Sequence, residues 1–306
     1  MNNESKLSTQ GVSMKENNNV RNWGLDLFKI VAMLMVVMLH VLLHGGVLEG
    51  VALQKGDFSL AIVRLLHTTC VCAVDCFILA TGAVMWNKGF KLSRIVTYWA
   101  GVVFYSLCIT ALFSFFILGV DVTWKDWIKS ILPVARNQYW FFTSYVALFF
   151  TMPLLNTLIV NIEQGQFKKY LIGGFALLSV YPTLVQKDLF SLNYGYSYLW
   201  FMYLYLIGGY CSRFKIGEGF KKIHLLGIFS FTCSLTVFGY GVSTFLGRRL
   251  IGAPLLDGLF NYNSSPIFVE ALSLFLLFKY LNITNRVFQK IIAFISPAVF
   301  YVYIHP

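Results

Sequence analysis

Charge is what this 306-residue chain has least of: 12% of its residues are Asp, Glu, Lys or Arg, against about 25% in a soluble domain. The shortfall runs along nearly the whole length, 58% of the residues are hydrophobic, and the mean hydropathy is +0.68. Such a chain cannot cover a water-facing surface. An all-α polytopic membrane protein is expected, because a helix closes its backbone hydrogen bonds within the spanning segment. A transmembrane β-barrel is excluded, since its strands would alternate over about ten residues and the apolar runs here are long and unbroken. With no soluble domain to carry a basic face, a nucleic-acid role is excluded as well. The six cysteines supply no metal or disulfide framework. Cys70, Cys72 and Cys76 cluster inside an apolar span and read as small buried side chains, so no metal is expected. No internal repeat is evident, which argues against a transporter built from inverted halves. A cleavable signal peptide is missing too, the first apolar run being too long and lacking a small-residue cleavage site.

What remains is a short polar tail followed by apolar segments. Residues 1–20 are rich in Asn, Ser and Lys and are expected to be a disordered cytoplasmic tail. Residues 21–306 then form one integral membrane domain. Nine apolar segments stand at about 25–45, 60–86, 95–119, 138–160, 169–186, 196–212, 224–246, 264–281 and 289–305. Most reach the roughly 20 residues that cross a bilayer, so nine transmembrane helices are expected, those at 169–186 and 196–212 being shorter. With the N-terminus inside, sixteen basic residues fall on the inner side and eight on the outer. That bias predicts a multi-pass cell-membrane protein with a cytoplasmic N-terminus, and it accounts for the net charge of +11. The last segment, ISPAVFYVYIHP, stops without a polar anchor. A tenth helix is therefore expected beyond Pro306.

The first span reads GLDLFKIVAMLMVVMLHVLLHGG, and from Leu27 to Leu43 it carries only two ionisable residues, Lys29 and His40. A charge near a helix centre costs roughly 2.5–3.5 kcal/mol on insertion scales, so residues of this kind point to a functional site. Eleven helical steps return the direction to within roughly 20° with a rise near 16 Å. Lys29 and His40 thus share one face, with Met33 and Val36 between them and Asp26 and His44 extending the stripe. Plainer readings stand beside this one: Lys29 snorkelling to headgroups, His40 in an interhelical hydrogen bond, and His44 at the interface.

Other ionisable and aromatic residues follow. The second segment holds His67 and, two turns deeper, Asp75, which either orients an imidazole or makes a structural hydrogen bond. Thr81-Gly82 permits close helix approach. The loop NKGFKLSR sets Lys88, Lys91 and Arg94 at an inner interface, a cluster suited to the phosphates of a cytosolic cofactor or simply to the positive-inside bias. The run Gln138-Tyr139-Trp140-Phe141-Phe142 is an aromatic belt or a platform for a sugar ring. Glu270 and His305 fall toward the outer side.

In order, these residues resemble acyltransferase family 3, and within it the surface-polysaccharide O-acyltransferases. The family opens with Leu-Asp, a basic residue, ten apolar positions and a histidine, matched by Leu25-Asp26, Lys29 and His40. The usual arginine is a lysine here, which keeps the charge and loses the bidentate fork. CFILATGAVMW is similar to the second helix, with Thr81 for Ser. Arg94 matches the arginine opening the third. YWFFTSYVALFFTMPLLN resembles the Trp-Phe-Leu segment with its Pro-Leu-Leu-Asn, Gln138 standing where a histidine often precedes the tryptophan. LWFMYLYLIGGYCSRF resembles the sixth helix and YVYIHP the Tyr-Leu-Ile-His-Pro near the end, after which the family has another helix. The resemblance implies ten helices, a cytosolic acyl-CoA donor (acetyl-CoA) and an extracytoplasmic carbohydrate acceptor. It implies that His40 is the essential catalytic residue and that Lys29 and Arg94 serve the donor. From the residues themselves, Lys91 joins the donor set through its loop, and Trp140 and His305 are candidates for the acceptor, His305 by sharing the cavity of His40.

The chemistry expected is acyl transfer from a thioester to a sugar hydroxyl. His40 is either the general base or a transient acyl carrier, with Asp75 as its orienter. Two alternatives stay open. A transporter or flippase for a glycan precursor would use Lys29, His40 and Asp75 as relays, and a non-catalytic membrane sensor would dispense with His40. The acyl group, the acceptor and the oligomeric state are not written in the sequence.

Overall fold

A computed structural model describes residues 21–48, 50, 57–116, 121–132, 139–250 and 256–299. Its elements are helices: α1 (Trp23–His44), α2 (Asp57–Val71), α3 (Ala73–Met85), α4 (Leu92–Phe116), α5 (Trp124–Ile131), α6 (Trp140–Asn161), α7 (Gln164–Phe175), α8 (Tyr181–Val185), α9 (Tyr198–Arg213), α10 (Lys222–Leu250), α11 (Ser265–Lys279) and α12 (Arg286–Ile295). Among the described residues there is no strand.

Five stretches are long and apolar enough to cross a membrane: Trp23–His44, Ser59–Met85, Leu92–Phe116, Trp140–Asn161 and Lys222–Leu246. The other four expected spans are shorter here. The segment at 169–186 is divided into α7, a π-helical turn at Ala176–Val180 and the one-turn α8. Helix α9 has 16 residues and α11 has 15, about 24 and 22 Å of rise against a hydrocarbon core of roughly 30 Å. Helix α12 has ten and ends in a turn at 296–298, and residues 300–305 of its expected span lie outside the described residues. The physical reason is that apolarity reports burial, whether by lipid or by protein. Helix α9 buries ten of its residues, Trp200 and Tyr205 among them, as a helix hydrophobic all round does when protein surrounds it.

The centre of the bundle is α3. It packs on α1, α9 and α11 and buries ten of its thirteen residues. It continues α2 after a break at Cys72. One turn earlier the hydroxyls of Thr68 and Thr69 donate to the carbonyls of Arg64 and Leu65, a back-bonding that bends helices. Glycines bring α3 and α9 close, as the Thr81-Gly82 pair leads one to expect. A Cβ on Gly82 would stand 2.2 Å from the Tyr205 carbonyl oxygen, and one on Gly208 would stand 2.2 Å from that of Leu79.

Two asparagines fix the end of the bundle where α1 starts. Asn22 caps α1 by accepting from the Leu25 N–H, and its amide donates to the Lys279 carbonyl at 3.0 Å. Asn156 on α6 donates to the carbonyls of Met85 and Lys88 and accepts from the Tyr205 hydroxyl at 2.7 Å. It thereby holds the end of α3, the loop after it and α9 in register.

Candidate active site

The start of α1 carries a linked set of charges. Arg21 Nε lies 2.6 Å from one Asp26 oxygen and Lys29 Nζ 3.3 Å from the other. The carboxylate holds both cations, and one positive charge is left over. These residues open onto a cavity of about 430 Å³ whose lining also includes Lys88, Lys279, Asn22 and Ser212. Four of its lining residues are cationic and Asp26 is the one carboxylate. Cations facing one low-dielectric concavity favour a multiply charged anion.

A second cavity of about 210 Å³ adjoins the first. Lys29 and Val84 line both, so the Lys29 side chain stands at their junction. The deeper one is mainly apolar and aromatic, walled by Phe77, Thr81, Tyr98, Phe141 and Tyr145, with Val299 closing a further side. Its rings interlock: Phe77 and Phe141 centroids are 6.4 Å apart edge-on, and those of Phe141 and Tyr145 are 6.0 Å apart, stacked.

His40 is half-buried on the same side of α1. Met33 and Val36, the residues between it and Lys29, are buried, so the expected stripe is a packing face. Its Nδ1 is 2.8 Å from the Val36 carbonyl oxygen. A carbonyl can only accept, so Nδ1 carries the proton and Nε2 of the neutral ring keeps its lone pair. The His44 ring lies 5.4 Å away. His40 is not part of the lining of either cavity.

Asp75 is not where an imidazole would use it. It is fully buried, its Oδ1 accepts from the Trp200 indole at 3.0 Å, and its Oδ2 has no partner. Asp75, Leu79 and Gly82 repeat at helical spacing on the side of α3 that meets α9. That side turns the carboxyl toward Trp200, so the expected pairing with His40 does not form. Trp140 belongs to an aromatic group, 4.4 Å from Tyr196 and 5.9 Å from Tyr262 between centroids. Burial foremost, then Tyr196 and the nearby Asp75 carboxyl, push the Tyr262 phenol well above its ordinary value. That connects the Trp140 group to Asp75.

The remaining sequence candidates divide. Arg94 donates to the Gly89 carbonyl at 3.1 Å and lines a narrow crevice with Lys88 and Asn156. Lys88 reaches both that crevice and the large cavity. Lys91 is exposed and lines neither. Glu270 is buried between α11 and α10, accepting from Thr236 at 3.4 Å, away from both cavities. His305 lies outside the described residues. Arg21 and Lys279 join the cationic lining without a signal in the sequence. Arg21 reads there as ordinary positive-inside bias, and only the packing of α11 against α1 brings Lys279 in.

A family model described as an acyltransferase domain matches residues 22–306. Neither the curated proteins nor the solved structures yield a match.

Proposed function

Since the chain belongs to the acyltransferase-domain family, we infer that it is a membrane O-acyltransferase that moves an acetyl group from cytosolic acetyl-CoA to a hydroxyl of a cell-surface or extracellular polysaccharide. The supporting observation is the junction at Lys29, where a cation-lined cavity of about 430 Å³ meets an aromatic one of about 210 Å³. Phosphates fit the first, with Arg21, Lys29, Lys88 and Lys279 as their partners, and Arg94 extends that set through Lys88. A thioester-bearing arm fits the second, whose walls are too apolar to favour phosphate. Lys29 contributes a point charge rather than a planar fork.

Acetyl-CoA, when bound, supplies an acyl group already activated as a thioester. His40 is the general base. Its Nδ1–H is held by the Val36 carbonyl, which leaves Nε2 to take the hydroxyl proton as the sugar oxygen forms its bond to the acyl carbon. The carbon–sulfur bond breaks, and the imidazolium returns that proton to the departing thiolate, so the enzyme ends the cycle unchanged. His40 stands about 16 Å of helix rise from Lys29 and lines neither cavity, so in this reading the arm has to run past the second cavity along α1 to bring the thioester to Nε2. Trp140, with Tyr196 and Tyr262, offers an aromatic face for a sugar ring, and His305, on the expected outer side, is assigned to the acceptor with it. The excess of basic residues on one side supports a cell-membrane location with the N-terminus in the cytoplasm.

The test is mass spectrometry of surface glycans from cells carrying the wild-type chain or His40→Ala. Loss of the acetyl ester in the variant, at equal protein level in the membrane, is expected. Full acetylation by His40→Ala would rule this mechanism out.

A further inference from the structure

At the opposite end of the span made by α2 and α3 lies a cluster that the proposed reaction does not use. Arg64 sits twenty residues before Val84, about 30 Å away along the helices. Its guanidinium lies 4.7 Å from the Tyr240 ring centroid on α10 and 5.9 Å from that of Phe260, in the 3-10 turn Asp257–Phe260. Five N–H donors are available there, yet the one hydrogen bond among the described residues is to the Tyr240 hydroxyl, at 3.5 Å. Among the described residues no carboxylate pairs with Arg64.

One turn along α2, His67 is only 7% exposed. Its ring meets Phe260 edge-on at 5.2 Å, its Nδ1 has no hydrogen-bond partner, and Arg64 is its charged neighbour. One turn beyond Tyr240 on α10, the Thr244 hydroxyl is buried and also unpartnered. Residues three and four apart face the same way on a helix, so His67 shares the side of α2 that carries Arg64 to Tyr240, and Thr244 shares the side of α10 that carries Tyr240. Buried polar atoms are nearly always paired, and two orphans beside an under-used guanidinium call for a missing partner. All four groups can donate a hydrogen bond, and one carries a fixed positive charge. The complement is an oxyanion, and the aromatic flanks set the guanidinium plane as a bidentate contact requires.

We propose that Arg64, His67, Tyr240 and Thr244 form an oxyanion-binding subsite, taking a phosphate or carboxylate group at the end of the bundle remote from Lys29. The anion comes either from the headgroup of a lipid at the bilayer surface or from a solute on that side, such as an acidic group borne by a glycan. The assignment holds independently of the acyl-transfer reaction, since it uses none of its residues.

The test uses the full chain purified in dodecyl maltoside micelles, whose amphiphile carries no phosphate. Arg64 is modified with phenylglyoxal and its rate is followed by peptide mass spectrometry, with exposed Arg286 as the internal reference. Inorganic phosphate, or phosphatidylglycerol added to the micelles, should slow modification of Arg64 at least fivefold and leave Arg286 unchanged. Protection by phosphate supports the subsite and assigns it to solute anions; protection by phosphatidylglycerol alone supports it and assigns it to a lipid headgroup. His67→Phe combined with Thr244→Val should remove the protection while Arg64 stays reactive. Equal Arg64 rates under all conditions would overturn the subsite. Protection that persists in the double variant would overturn the donor set.

Discussion

At the scale of single residues, half-buried His40 and fully buried Asp75 have different partners. For the base proposed at His40 a carboxylate orienter is not required, because a backbone carbonyl one turn back already fixes which ring nitrogen carries the proton. Asp75 is committed to the Trp200 indole and tethers α3 to α9. Its role is therefore to satisfy a buried N–H rather than to move a proton. Asp75→Asn keeps a carbonyl oxygen for that indole, so glycan acetylation should stay near wild type and thermal stability in detergent should shift little. Asp75→Leu removes the acceptor and should cost roughly 1–3 kcal/mol, the penalty for a buried donor left unpaired. Stable Asp75→Asn protein that had lost acetylation would return this carboxyl to the chemistry.

At the scale of elements, the crossing of α3 and α9 is the contact that positions the site, because α3 carries Phe77, Thr81 and Val84 of the cavity walls. The crossing depends on backbone meeting backbone. A Cβ on Gly208 would lie 2.2 Å from the Leu79 oxygen and 3.0 Å from the Ala83 nitrogen, and neither atom can swing aside as a side chain could. Gly208→Ala should therefore force the helices apart and destabilise the fold by about 1–3 kcal/mol or more, the usual cost of overpacking. Gly227→Ala on α10 is the matched control, since its Cβ would meet nothing within 4 Å. There the helix preference for Ala, about 0.5–1 kcal/mol, should leave stability unchanged or raised. Thermal unfolding of both variants in the same detergent checks the pair; equal behaviour would show that the close approach does not matter. The same crossing explains why helix number is hard to read from sequence. The runs that became α9 and α11 are apolar, and that surface packs on protein: α9 chiefly on α3, and α11 on α10, α3 and α1.

For the whole molecule, what was legible followed from local rules: the helical class, the membrane-spanning length of α1, and the small residue at position 82. What was not legible depends on which distant segments meet. Lys279 enters the cation-lined cavity because α11 packs beside α1, and the direction of Asp75 is set by α9. The inner cavity is likewise a property of the assembled bundle, with walls from α1, α3, α4, α6 and the segment after α12. Its size carries a consequence for the donor. About 210 Å³ is room for roughly seven water-sized groups at ~30 Å³ each, enough for a short acyl group with the end of its arm as the donor first binds, before the thioester advances to His40, and too little for a long chain. Phe77, edge-on to Phe141, bounds that room. The wild type should then prefer acetyl-CoA to butyryl-CoA in competition binding to the purified protein. Phe77→Ala should shift that ratio toward butyryl-CoA by about tenfold, from burying two more methylenes at about 0.8 kcal/mol each. A wild type that binds octanoyl-CoA as well as acetyl-CoA, or a ratio untouched by Phe77→Ala, would mean that the acyl group lies elsewhere; no binding of any acyl-CoA would instead remove the donor itself.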